Sequence, residues 1–194
     1  ERARAWRLTA LAAALTGAVA LAATFTRSAW LGLAAALATL LGLARPRWLP
    51  ALAVVLALGL ALAPPSYRAR AWSAFDPDDP TNLQRTCMWR SGLAMFRDHP
   101  LTGVGPGGMK EIYDRYMLPG ATERAGHLHS VPVHLLASMG AVGLAAFLLL
   151  YGSLFVCAAG GGAAAAGGSG AALRLGVTAL LVGFLVTGLF EWNF

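Results

Sequence analysis

Apolar residues fall in five blocks, 8–25, 29–43, 48–63, 131–159 and 171–192, with one long polar interruption at 64–130. Each block is near the roughly 20 residues with which an α-helix crosses a hydrocarbon core, so the pattern predicts an all-α, polytopic membrane protein. The second and third blocks are short and are expected to tilt, lie flat or thin the bilayer. Three spans at 1–63 and two at 131–194 therefore frame a polar loop at 64–130, which holds 15 of the 24 formally charged side chains.

Within the loop, Pro64-Pro65 ends the third span and Asp76-Pro77-Asp78-Asp79-Pro80 has the composition of a turn. Thr81 and Gln84 fit a capping box, which predicts a helix over 82–97 that stops before Pro100. At about 100° per residue, Arg85, Trp89, Gly92 and Phe96 share a narrow stripe, with Arg90 and Arg97 well round the helix. An arginine on a packed face needs an anionic partner, whereas Arg90 and Arg97 are free to be hydrated. Residues 160–170, almost all Gly and Ala, predict a flexible connector between the last two spans. No repeat of 20 to 50 residues supports a solenoid or an internally duplicated transporter.

A mean hydropathy of +0.60 and 57% hydrophobic residues agree with the membrane class. The net charge of +6 would point to nucleic acid in a soluble protein, but here topology accounts for it. Arg2, Arg4, Arg7, Arg45, Arg47 and Arg174 fall on one side if the five spans alternate, as expected of the cytoplasmic face, so the long loop is expected outside. The first block is expected to stay in the mature protein: a second span follows after Thr26-Arg27-Ser28, and no cleavage site is convincing. Cys87 in the loop and Cys157 in a span are poorly placed to pair.

Candidate chemistry gathers at the rims of the spans. His129 precedes Ser130, a candidate N-cap, and Pro132 in the first turn of the fourth span. The positive end of that helix disfavours a further positive charge, and a neutral imidazole at the rim is able to accept a proton. Arg27 sits between the first two spans on the side where arginines are few, which implies either a held guanidinium or one that snorkels to lipid phosphates.

Three motifs are weaker. Gly103-Val104-Gly105-Pro106-Gly107-Gly108 matches G-x-G-x-x-G, but no strand precedes it and Pro106 interrupts the turn, so a tight loop is expected. Asp76-x-Asp78 resembles a metal-binding D-x-D, yet its flanking prolines favour a plain turn. His127, His129 and His134 lack a nearby Cys or a carboxylate in helical register, which argues against zinc.

Taken in order, these pieces resemble the O-antigen ligase and polymerase family of bacterial membrane glycosyltransferases. Thr26-Arg27-Ser28-Ala29 resembles its Ser-Arg-Gly/Ala segment; Arg85 with Trp89 resembles R-x-x-x-W; and residues 98–105 resemble D-x-P-x-x-G-x-G. His129-Ser130 with Gly140 and Gly143 fits H-[N/S/Q]-x9-G-x-x-G, with Ser130 where asparagine is common, and Glu191-Trp192-Asn193-Phe194 resembles a late E-x-N-F. Family members have more spans, so the chain is expected to be a C-terminal portion.

The resemblance implies transfer of a glycan from undecaprenyl diphosphate to an acceptor hydroxyl at the periplasmic face of the bacterial inner membrane. The acceptor is lipid A core, a growing glycan or a protein, as ligase, polymerase or protein O-oligosaccharyltransferase. It further implies His129 as general base and Arg27 and Arg85 on the diphosphate, with Arg124, Glu191 and Asn193 as possible support. Lys110, Tyr113 and Tyr116 are unassigned. No metal, cofactor or nucleic acid is required. A transporter or flippase for lipid-linked glycans is the rival reading; it would need helices broken near mid-membrane and ionisable groups along a path across the bilayer. A purely structural membrane anchor would not need Arg85 on a packed helix face.

Overall fold

The computed structural model describes residues 2–107, 109–124, 126–159 and 168–192. In chain order the helices are α1 (Arg2–Ala23), α2 (Arg27–Ala44), α3 (Leu49–Leu62), α4 (Pro65–Trp72), α5 (Pro80–Asp98), α6 (Met109–Tyr116), α7 (Val131–Ala159) and α8 (Gly168–Phe190). Four of them, α1, α2, α7 and α8, are long and apolar enough to cross a bilayer; α3 reaches that standard only together with the helices after it, across a bend of 117°. The chain is an all-α polytopic membrane protein. Most of the predicted connector at 160–170 and the final Asn193-Phe194 lie outside the described residues.

Helix α2 packs antiparallel against α8 through small residues. A Cβ on Gly183 would meet the Gly32 carbonyl oxygen at 2.8 Å and the Ala36 Cβ at 2.9 Å, so only glycine lets the two backbones approach this closely. Thr187 Oγ1 donates to the Ser28 carbonyl at 3.4 Å, and Tyr151 in α7 donates to the Leu181 carbonyl of α8 at 2.9 Å. The start of α2, the start of α7 and the end of α8 thus lie at one end of the bundle. Arg45, Arg47 and Arg174 lie towards the other end.

At the first end the polar loop folds over the spans around a core of Met88, Met95, Met109, Tyr113, Leu128 and Ala137. Each large apolar side chain fully buried there contributes about 1.5–3 kcal/mol. The packed stripe of α5 is Met88, Ser91, Gly92 and Met95, rotated from the expected one: Arg85 and Trp89 stand at its edge and Phe96 is only half-buried. At Gly92 a Cβ would meet Leu128 Cδ1 at 2.6 Å and Val133 Cγ1 at 2.8 Å, so a larger residue would force those side chains to shift. Arg90 and Arg97 are exposed, as hydrated arginines should be.

The cap of α5 also differs from expectation. Asp79, not Thr81, accepts from the backbone N–H groups of Thr81 and Asn82, at 3.1 and 3.3 Å. A carboxylate that takes two free donors, with Pro80 as the first helical residue, outcompetes the hydroxyl one position later. Gln84 turns away and accepts instead from the Thr122 N–H at 3.0 Å.

Helix α7 is broken at Gly140, where φ is 65° and ψ −162°. An unbroken helix would pair the N–H groups of Ala141 and Val142 with the carbonyls of Ala137 and Ser138. All four groups instead bond to the loop after α5. Val104 and Gly105 donate to Ala137 and Ser138 (2.8 and 2.9 Å), while Ala141 and Val142 donate to Pro100 and Leu101 (2.8 and 3.2 Å). Gly103, also at positive φ, and Gly140 face opposite backbones with no room for a Cβ. The D-x-P-x-x-G-x-G and G-x-x-G stretches are therefore two halves of one backbone joint. Val131, Leu135 and Ala137 before the break are buried, whereas Val142, Leu148, Leu149, Leu150 and Leu154 beyond it are exposed, as in a span that meets lipid.

Candidate functional site

Arg27 is the first residue of α2 rather than part of a turn, because the Thr26 carbonyl already accepts from Ala29 and Trp30, at 3.1 and 3.2 Å. Its guanidinium is buried but satisfied. One nitrogen donates to Ser73 Oγ at 2.9 Å; the other donates to Asn82 Oδ1 at 2.8 Å and lies 3.5 Å from the Asp79 carboxylate. The residue is thus held against α5, not snorkelling. Burial works against the charge on Asp79, but hydrogen bonds from Asn82 and Thr81 and the charge of Arg27 hold its carboxyl below the usual range.

One turn along α5 from Asn82, Arg85 donates to Glu191 Oε2 at 2.9 Å. The other oxygen, Oε1, bonds to His129 Nδ1. Glu191 follows the last residue of α8, so the antiparallel packing of α2, α7 and α8 brings it between the loop helix and the rim histidine. Burial raises the Glu191 carboxyl, yet the hydrogen bond and charge of His129 and the charge of Arg85 outweigh it and hold it below the ordinary range. With Glu191 on Nδ1, the remaining ring nitrogen, Nε2, is the one left for proton transfer.

The backbone turns the imidazole to meet that carboxylate. His129 has a φ of 45°, a left-handed conformation rare outside glycine. Trp89 Nε1 donates to the His129 carbonyl at 3.4 Å, and the Trp89 ring lies 6.4 Å from that of Phe190. To the helix end expected beside His129 the fold adds a direct carboxylate contact.

His127 lies beside the site, its ring centroid 4.5 Å from that of His129. Burial and the neighbouring charge of His129 lower its pKa. Leu128 between them is fully buried and pins the segment so that both rings emerge together. His134 is instead packed on Trp192 with ring centroids 3.9 Å apart. His127, His129 and Glu191 place one candidate metal-ligand atom each within 4.8 Å of one another. The carboxylate missing from the sequence argument against zinc is supplied by a residue 62 positions away.

Other candidates lie elsewhere. Arg124 is 69% exposed and pairs with Asp114 at 3.5 Å. Tyr113 is in the core, and Tyr116 donates to Asp98 at 2.8 Å. The Asp78 N–H donates to Asp76 Oδ1 at 3.0 Å, which makes Asp76-Pro77-Asp78 a closed turn. Asn193 lies outside the described residues.

No curated protein matches the chain. The family model described as O-antigen ligase matches residues 12–148. Arg27, Arg85, His129 and both halves of the Gly103–Gly140 joint fall inside that stretch; Glu191 falls beyond it. The chain therefore belongs to the O-antigen ligase family, membrane enzymes of the ligase and polymerase type that transfer glycans.

Proposed function

We propose that the chain transfers a glycan from undecaprenyl diphosphate to an acceptor hydroxyl at the periplasmic face of the inner membrane, by single displacement with inversion and without a metal. The arrangement Arg85–Glu191–His129 carries this reading, because it joins a phosphate-binding cation and an oriented base at one end of the bundle. His129 Nε2 takes the proton of the acceptor hydroxyl as its oxygen attacks the anomeric carbon. The C1–O bond to phosphate breaks, and undecaprenyl diphosphate leaves with the electron pair.

Charge gathers on the leaving diphosphate, and guanidinium is suited to it because it stays charged and offers several donors. Glu191 engages Arg85 Nη2 and Nε is buried, which leaves Nη1 for phosphate. Arg27, held one turn away through Asn82, adds positive potential rather than a free hand. Glu191 holds the ring of His129 and balances the imidazolium formed as the proton arrives.

The break in α7 is the feature that a transporter would share. Its four backbone groups are filled by residues 100–105, with no ionisable side chain among the groups that fill it, which favours surface chemistry over passage. Supplying a labelled lipid-linked glycan with lipid A core, a lipid-linked glycan or a protein acceptor in turn tests the reading. Label should pass to one acceptor class, with or without chelator; movement of the donor between leaflets without transfer would support the transporter. Transfer lost with EDTA and restored by magnesium or manganese would return Asp76 and Asp78 to consideration.

A further inference from the structure

We propose that His127, His129 and Glu191 form a binding site for Zn2+ whose occupation silences the enzyme. The three candidate ligand atoms lie within 4.8 Å of one another, and none is on a freely moving arm. Glu191 is fixed from behind by Arg85 at 2.9 Å, the backbone of His129 by Trp89, and the segment between the histidines by buried Leu128. Zinc takes three protein ligands and an open fourth position at about 2.0–2.2 Å from N and O donors, so side-chain rotations on the order of 1 Å would close the set. Two imidazoles and one carboxylate are borderline donors that prefer zinc to magnesium or calcium.

The electrostatics allow a cation despite Arg85. A second carboxylate, Glu123, lies close enough to His127 to act on its charge, so two carboxylates, Glu191 and Glu123, offset the one guanidinium at the site. The outer groups repeat the arrangement in which a metal ligand is itself hydrogen-bonded.

Silencing rests on the proposed role of His129; binding does not. A zinc ion on Nδ1 displaces the contact with Glu191 and withdraws electron density from the ring, and one on Nε2 takes the lone pair directly. Either way the base is lost. The metal would thus inhibit, which is compatible with transfer that needs no metal.

The test titrates the full chain in detergent micelles with Zn2+ alone, by calorimetry and by equilibrium dialysis with metal analysis. One zinc per chain is expected, with at least tenfold weaker uptake in His127→Ala and in Glu191→Gln and unchanged uptake in His134→Ala. Co2+ substituted for zinc should give the visible absorption of a four-coordinate N/O site. In parallel, transfer by the native chain should fall as zinc binds and recover with chelator, while His127→Ala retains basal transfer and loses zinc sensitivity. Absence of saturable uptake, or uptake indifferent to both variants, would overturn the site and leave the base assignment standing. Stoichiometric uptake through these residues with undiminished transfer would overturn the silencing and count against His129 as base.

Discussion

Arg85 and Glu191 lie 106 positions apart in the chain and meet at 2.9 Å, each less than a quarter exposed. The contact ties the polar loop to the end of the last described span, and it does so through the carboxylate that also holds His129. A partly buried pair of this kind is costly to leave half-made, so the two ends of the site are energetically coupled.

Glu191→Gln should therefore separate positioning from binding. The amide keeps the shape but loses the charge that balances imidazolium, and kcat should fall on the order of 10²-fold. Donor affinity should hold or tighten, since Arg85 is released towards phosphate. Single-turnover rates and donor titrations measure the two effects; a variant with normal kcat and weakened donor binding would assign Glu191 to substrate instead.

The joint between residues 100–105 and the break in α7 should be intolerant of a single methyl. Gly140→Ala puts a Cβ against the backbone of Leu101 in a φ/ψ region essentially confined to glycine, costing about 1–3 kcal/mol for the conformation and about 1–3 kcal/mol for overpacking. Thermal unfolding in detergent should fall for Gly140→Ala and for Gly103→Ala. It should not fall for Gly107→Ala, where nothing lies within 4 Å of the added Cβ.

Stability should decline in acid through Glu191 and Asp79. Both carboxyls ionise at lower pH in the folded protein than the ordinary 4.5 and 3.8, so the unfolded chain binds more protons as pH falls. Their contribution is complete above those ordinary values and is lost as pH drops through the depressed folded ones. Unfolding temperature followed from pH 6 to pH 3 should fall, and Glu191→Gln should show a shallower fall over the same range; equal slopes would remove Glu191 from the account.

What the sequence discloses follows the range of the interactions. The spans are legible because apolar runs act locally, and so are the stop before Pro100 and the exposure of Arg90 and Arg97. The cap of α5 is misread because Asp79 and Thr81 are both able N-caps, and only the folded turn decides between them. Helix α6 carries its signal in Met109, Ile112, Tyr113 and Tyr116 at helical spacing, but eight residues are too few to stand out. His129, Arg27 and Arg85 are visible as residues in unusual places. That Glu191 joins two of them depends on how α8 packs against α2 and α7, which no local pattern encodes.

The central claim is that His129 removes the acceptor proton within a set held by Glu191 and Arg85. It is tested most directly by His129→Ala, purified in amounts equal to the native chain, in a single-turnover assay with labelled undecaprenyl-diphosphate-linked glycan and acceptor, with donor binding measured alongside. Transfer should be abolished while donor binding remains largely intact. Normal transfer by the well-folded variant would contradict the account.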